Sequence, residues 1–173
     1  HFRRQAQSCA RMGSPFTAQL CNLMADRLGP ETRSGDRLLN WCCDTHGPDA
    51  VALRLMGALH ATVLKGRDAG LMSIYPPTGS APTNDDDLWK IVENALHTHD
   101  GFIHDWLDSP PQTNEVARAA MILPALMSLS EQFNRPLALY EIGASAGLTL
   151  QLTQFGYDYG GELFGEEASP VQL

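Results

Sequence analysis

Apolar residues recur at a helical period along most of the chain. Phe16, Leu20, Leu23, Met24 and Leu28 follow Ser14-Pro15, in which Ser caps and Pro suits the first turn, and Gly29-Pro30 closes the run, so a helix is expected there. Val51, Leu55, Leu59, Thr62 and Val63 share one face of another predicted helix, with Leu53, Met56 and Leu64 on its other faces and Gly66 as its stop. A helix that is apolar nearly all round belongs at the centre of a helical assembly. The proline-rich residues 75–82 are expected to form an extended loop, because proline fixes φ and removes donors. Beyond them Asn84 is placed to cap Asp85-Asp86-Asp87, whose charges suit the positive end of a helix dipole, and Leu88, Ile91, Val92, Ala95 and Leu96 form the apolar stripe. A last long helix is expected from Thr113 or Asn114, turning Val116, Ala119, Ala120, Leu123 and Met127 inward. Pro124 removes one of its hydrogen bonds, so a bend near Ala120 is expected.

At Pro136 the period changes. Residues 137–142 (Leu-Ala-Leu-Tyr-Glu-Ile) form a short apolar run bounded by Pro and Gly, the pattern of a buried parallel strand. Gly143-Ala144-Ser145-Ala146-Gly147 follows, and then Leu148-Thr149-Leu150-Gln151-Leu152, which is suited to starting a helix. The expected fold class is therefore mainly α: a multi-helix domain over residues 1–135, then the first strand, glycine loop and helix of an incomplete Rossmann-like α/β unit over 136–173. A lone parallel strand cannot satisfy its own backbone. Residues 137–142 are thus expected to pair with 156–165, where Leu163-Phe164 is the candidate strand, with a second copy of the chain in a homodimer, or with residues beyond this sequence.

Charge and cysteine content narrow the classes. The 173 residues include 43% hydrophobic ones and carry a net charge of −8. No stretch approaches the roughly 20 uninterrupted apolar residues of a membrane span. The N-terminus lacks the apolar core of a signal peptide, so no membrane association and a cytoplasmic location are expected. The basic residues concentrate in the first helix and its neighbours, while the remainder is strongly acidic, which argues against nucleic acid as a partner; the basic helix is read as a solvated face. Cys9, Cys21, Cys42 and Cys43 show no C-x-x-C pair and no zinc-finger spacing, and are expected to be reduced.

Strand, glycine-rich turn and helix together make an arrangement that holds a phosphate or nucleoside, because glycines let a ligand approach the backbone. The same five residues of the turn satisfy G-x-S-x-G, the nucleophile elbow of α/β hydrolases, with Ser145 as nucleophile. That chemistry needs a histidine downstream, and none follows Ser145. Ser109-Pro110-Pro111-Gln112-Thr113-Asn114-Glu115 reads as a rigid loop carrying amide, hydroxyl and carboxylate groups at a helix start. Gln112, Thr113, Asn114 and Glu115 are its candidate ligand residues, and the loop is expected to pack over the glycine turn and help to close a pocket. His97, Asp100 and His104 could share a helical face, but with Gly101 expected to break that helix and no further ligand implied, no metal site is expected.

Glu141-x-Gly143-x-x-x-Gly147 resembles the first motif of S-adenosylmethionine-dependent methyltransferases, with Ser145 where the middle glycine usually stands. The segments beginning Phe2-Arg3-Arg4-Gln5-Ala6, Tyr75-Pro76-Pro77, Trp106-Leu107-Asp108-Ser109-Pro110-Pro111-Gln112-Thr113-Asn114-Glu115 and Glu141-Ile142-Gly143-Ala144-Ser145-Ala146-Gly147-Leu148 are similar to the bacterial domain-of-unknown-function family 2332. The resemblance implies a longer parent in which a helical part leads into a methyltransferase-like Rossmann domain with no established reaction. It implies S-adenosylmethionine as cofactor at Glu141, Gly143, Ser145 and Gly147, a small-molecule substrate, and a chain inactive by itself. Glu162, Glu166 and Glu167 lie near the interval at which the family type carries a second acid, without a strand before them to assign it. A non-catalytic interaction or regulatory module on a degenerate Rossmann fold, and a serine hydrolase built on Ser145, stand as alternatives.

Overall fold

Local caps and apolar stripes turn most of the periodic segments into helices. The computed structural model describes residues 1–42, 49–112 and 115–173. In chain order it has α1 (Phe2–Arg11), α2 (Pro15–Arg27), α3 (Arg33–Leu39), α4 (Val51–Leu64), α5 (Ala69–Ile74), α6 (Asp85–Thr98), α7 (Asp100–Trp106) and α8 (Arg118–Phe133). A 3₁₀ helix (Leu148–Gln154) and the strands β1 (Gly156–Asp158) and β2 (Leu163–Gly165) follow. The chain is mainly α and divides into two compact units, His1–Pro111 and Gln112–Leu173.

In the first unit, α4 occupies the centre. Val51, Ala52, Leu55, Met56, Ala58, Leu59 and Ala61 are buried, and they join Leu20, Met24, Leu71, Ile74, Leu88, Val92, Ile103 and Leu107 in one core. Two polar side chains of α4 are buried with their partners: Thr62 Oγ1 donates to the Ala58 carbonyl at 3.0 Å, and Arg54 donates to the Asp49 and Leu107 carbonyls at 2.6 and 2.8 Å. The caps are local. Asn84 Oδ1 accepts from Asp86 N at 2.8 Å, Asp68 Oδ1 from Leu71 N at 2.8 Å and Thr32 Oγ1 from Gly35 N at 3.0 Å. Ser14 precedes Pro15 at the start of α2 without a side-chain cap bond; its hydroxyl donates to Thr17 Oγ1 at 2.9 Å instead.

Two segments of this unit depart from the sequence pattern. Residues 75–82 double back as a turn instead of extending, with Gly79 N donating to Tyr75 O at 2.7 Å and Ser80 N to Ser73 O at 2.9 Å. Gly101 lies inside α7, and the break falls at His99, which ends α6 and begins α7. The reason is tertiary: Asp100 is tied to Ser34 and Arg33 of α3, which fixes the start of α7 at that residue.

The second unit is smaller and differs more from expectation. Ala119, Leu152, Phe155 and Tyr157 are its buried apolar residues, with Val116, Ala120, Leu123, Leu126, Phe164, Val171 and Leu173 packed against them. α8 starts at Arg118, later than the expected Thr113 or Asn114, which lie outside the described residues. Met127, expected to face inward, is 42% exposed. Residues 137–142 are not a strand: they join no ladder, Tyr140 is 90% exposed and Ile142 fully so. The candidate partner Leu163–Gly165 is a strand, but it pairs antiparallel with Gly156–Asp158, placing Tyr157 opposite Phe164. That pairing, with a parallel bridge between Gly156 and Gln172, takes up the hydrogen bonding that 137–142 would have needed. The glycine loop leads into a 3₁₀ helix, where a longer helix was expected. The sequence period changes at 136, whereas the compact units divide after Pro111, so α8 is grouped with the C-terminal segment.

Candidate functional site

Residues 141–147 form an irregular turn between the exposed apolar run and the 3₁₀ helix. Gly143 and Gly147 have φ of 73° and 70°, in the left-handed region that L side chains rarely adopt. A Cβ on either would meet nothing within 4 Å, so backbone conformation and not crowding requires glycine, and the space beside the turn is open. The N–H groups of residues 143–148 donate to no described residue. Glu141, at the entrance of the turn, keeps its Oε2 away from solvent without a hydrogen-bond partner among the described residues. A secluded carboxylate oxygen with no partner costs free energy, on the order of 1–3 kcal/mol or more for a charged group.

Ser145 Oγ donates to Gln112 Oε1 at 3.4 Å, which brings the start of the Ser-Pro-Pro-Gln loop to the glycine turn within the second unit. Glu115 turns to its own helix start, its Oε1 accepting from Ala117 N at 3.0 Å. Thr113 and Asn114 lie outside the described residues. Glu162 is in the β1–β2 turn, its carbonyl accepting from Tyr159 N at 3.0 Å, and Glu166 N donates to Phe155 O at 3.0 Å; neither is joined to Glu141 by a described contact. From Pro136 to the C-terminus the sequence has five acidic residues and no Lys, Arg or His.

The histidine-rich segment is engaged elsewhere. His99 Nε2 lies 3.0 Å from Asp68 Oδ2, a half-buried pair in which Asp68 also caps α5. Asp100 Oδ1 accepts from Ser34 N and Oγ at 2.8 and 2.7 Å. His104 Nδ1 is 3.6 Å from Asp105 Oδ1. Among the described residues no group of three or more His, Cys, Asp or Glu is placed to hold a metal ion. The Asp68–His99 pair had no signal in the sequence, because its members are 31 residues apart and neither belongs to a motif.

The family model described as "Uncharacterized protein conserved in bacteria (DUF2332)" matches residues 1–173, and the chain belongs to that family. No curated protein and no solved structure matches it. No helix among the described residues is long and apolar enough to cross a membrane.

Proposed function

We propose that residues 141–147 are the nucleoside-binding turn of an S-adenosylmethionine-dependent methyltransferase-like unit that acts on a small molecule. The reading rests chiefly on Glu141 Oε2, secluded and without a partner among the described residues, beside an open turn whose glycines hold left-handed φ. These residues fit the cofactor. Glu141 would accept from its hydroxyl or ammonium groups, the backbone at Gly143 and Gly147 would lie against the nucleoside, and the Ser145 hydroxyl, beside Gln112, would add a donor. The acidic, cation-free surroundings after Pro136 suit a sulfonium-bearing nucleoside better than a dinucleotide pyrophosphate, which would be repelled. The cofactor supplies an activated methyl group when bound; the chain supplies binding and orientation, and no catalytic base is assigned.

Calorimetric titration of the full-length protein with S-adenosylmethionine and S-adenosylhomocysteine tests this. Micromolar binding of both, lost in Glu141→Gln and in Gly147→Val, is expected. No heat with either compound overturns it. The hydrolase alternative is disfavoured because the unit that contains Ser145 has no histidine, and Ser145 pairs with an amide instead of a base. Labelling of Ser145 by a fluorophosphonate would reinstate it. A non-catalytic interaction module draws support from a different observation, the exposure of Met121, Phe133, Tyr140 and Ile142, and it predicts association with another chain in the absence of cofactor binding.

A further inference from the structure

The first unit contains a cavity of about 310 Å³ away from the glycine turn and the histidine-rich segment. One wall is a single stripe of α1 and the residue before it: His1, Arg4, Gln5, Ser8 and Arg11 recur at spacings of three, one, three and three, which places them on one helical face. The other wall is Ala50 and the start of α4, with Val51 and Ala52 buried and largely apolar. α1 is thus two-sided. Ala6 and Cys9 are buried toward the rest of the unit, while the polar stripe faces an open space.

The charges of this space are unbalanced. Its described lining residues include two arginines and no Asp or Glu. Arg4 and Arg11 make no hydrogen bond or ion pair with any described residue, whereas Arg3, Arg27 and Arg37 on other surfaces of this unit each pair with an aspartate. In a chain of net charge −8, two arginines lining one cavity with no carboxylate among its described lining leave a local positive potential that an anion would neutralise. Guanidinium presents a planar fork that matches an oxyanion in two parallel bonds. The cavity volume is at the lower end of the roughly 300–1,000 Å³ range of small-molecule sites.

We propose that the cavity between α1 and the start of α4 binds a small organic oxyanion, a phosphate ester or carboxylate. Its charged group sits on Arg4 and Arg11 and its apolar body lies against Ala50, Val51 and Ala52. Gln5 and Ser8 supply further hydrogen bonds between the two arginines. The site is independent of the glycine turn and of the methyltransferase reading.

Phenyl phosphate is the probe, titrated at constant ionic strength beside inorganic phosphate and phenol, with binding followed by calorimetry on the full chain. Saturable one-to-one binding of phenyl phosphate is expected, weaker for inorganic phosphate and absent for phenol. Arg4→Gln and Arg11→Gln are each expected to weaken it about tenfold or more, in line with the loss of a charge-assisted hydrogen bond. Both positions are exposed and have no partner among the described residues, and unchanged far-UV circular dichroism checks that the variants fold. Arg3→Gln removes an equal charge from the same helix outside the cavity and is expected to leave binding unchanged. Absence of saturation at millimolar phenyl phosphate, binding that survives both cavity substitutions, or an equal loss in Arg3→Gln overturns the proposal.

Discussion

Single residues stabilise the first unit mainly by serving a second element. Asp100 belongs to α7, yet its carboxylate satisfies the first turn of α3, receiving Ser34 N at 2.8 Å, Ser34 Oγ at 2.7 Å and Arg33 N at 3.1 Å. Burial disfavours its charged form, but the bonds from Ser34 and Arg33 together outweigh burial and hold its pKa below the ordinary 3.8. A carboxyl whose folded value is depressed stabilises the fold above the unfolded value and loses that contribution as the pH falls through the folded one. Asp100→Ala leaves the fully buried Ser34 without its acceptor, and is expected to cost roughly 1–3 kcal/mol at pH 7 in urea unfolding. The gap to the wild type should narrow below pH 4 as the native carboxyl protonates; a gap that stays constant down to pH 2 would show that the charge contributes nothing. Cys21 follows the opposite rule. Burial, with Cys9 beside it, pushes its thiol up to about 12, while Cys42 is exposed. Iodoacetamide at pH 8 followed by peptide mapping is expected to modify Cys42 in the folded protein and Cys21 only at the rate of unfolding, because the thiolate is the reactive form.

At the scale of elements, what could be read from sequence was what neighbouring residues decide. α2, α4 and α6 follow from apolar period and punctuation within a few residues, and Asn84 caps α6 as its position before Asp85-Asp86-Asp87 indicated. Asn84→Ala is therefore expected to lower stability by about 1 kcal/mol, measured as a shift in the urea midpoint at unchanged slope. A break is expected at Gly101 and falls at His99, because the start of α7 depends on Asp100 reaching Ser34, 66 residues away. Residues 137–142 were misread for a related reason: an apolar run encodes a readiness to be buried, while a strand also needs a partner, and here β2 is paired with β1. The turn at the candidate site was legible in part. Glycine at 143 and 147 marked the left-handed positions, but nothing in the sequence indicated that Glu141 Oε2 is without a partner among the described residues or that Ser145 meets Gln112. The arginine stripe of α1 was visible as a polar face; its meaning came only from the wall opposite it.

Across the whole molecule the two units differ in how well they can stand alone. The 111 residues of His1–Pro111 enclose a continuous core with Leu20, Leu55, Leu59, Leu71, Leu88, Val92, Ile103 and Leu107 nearly inaccessible. Among the described residues of Gln112–Leu173, four apolar side chains are buried, and Met121, Phe133, Tyr140 and Ile142 are 82, 60, 90 and 100% exposed. A domain of about 60 residues buries only about 60% of its unfolded surface and is marginal even when its core is complete. Each large apolar side chain left in water also forgoes roughly 1.5–3 kcal/mol of burial. Residues 1–111 produced alone are accordingly expected to be monomeric and to unfold in one cooperative transition. Residues 112–173 alone should bind a hydrophobic dye and associate at micromolar concentration. Because Phe133 and Ile142 are not part of the small core, Phe133→Glu with Ile142→Lys should reduce that association without removing the β1–β2 hairpin, as read by sedimentation and far-UV circular dichroism. If the second unit alone proved monomeric, dye-silent and sharply cooperative, the exposed surface would carry no demand for a partner. The interaction-module alternative would then lose its support, while the cofactor reading, which depends on Glu141 and the glycine turn, would be untouched.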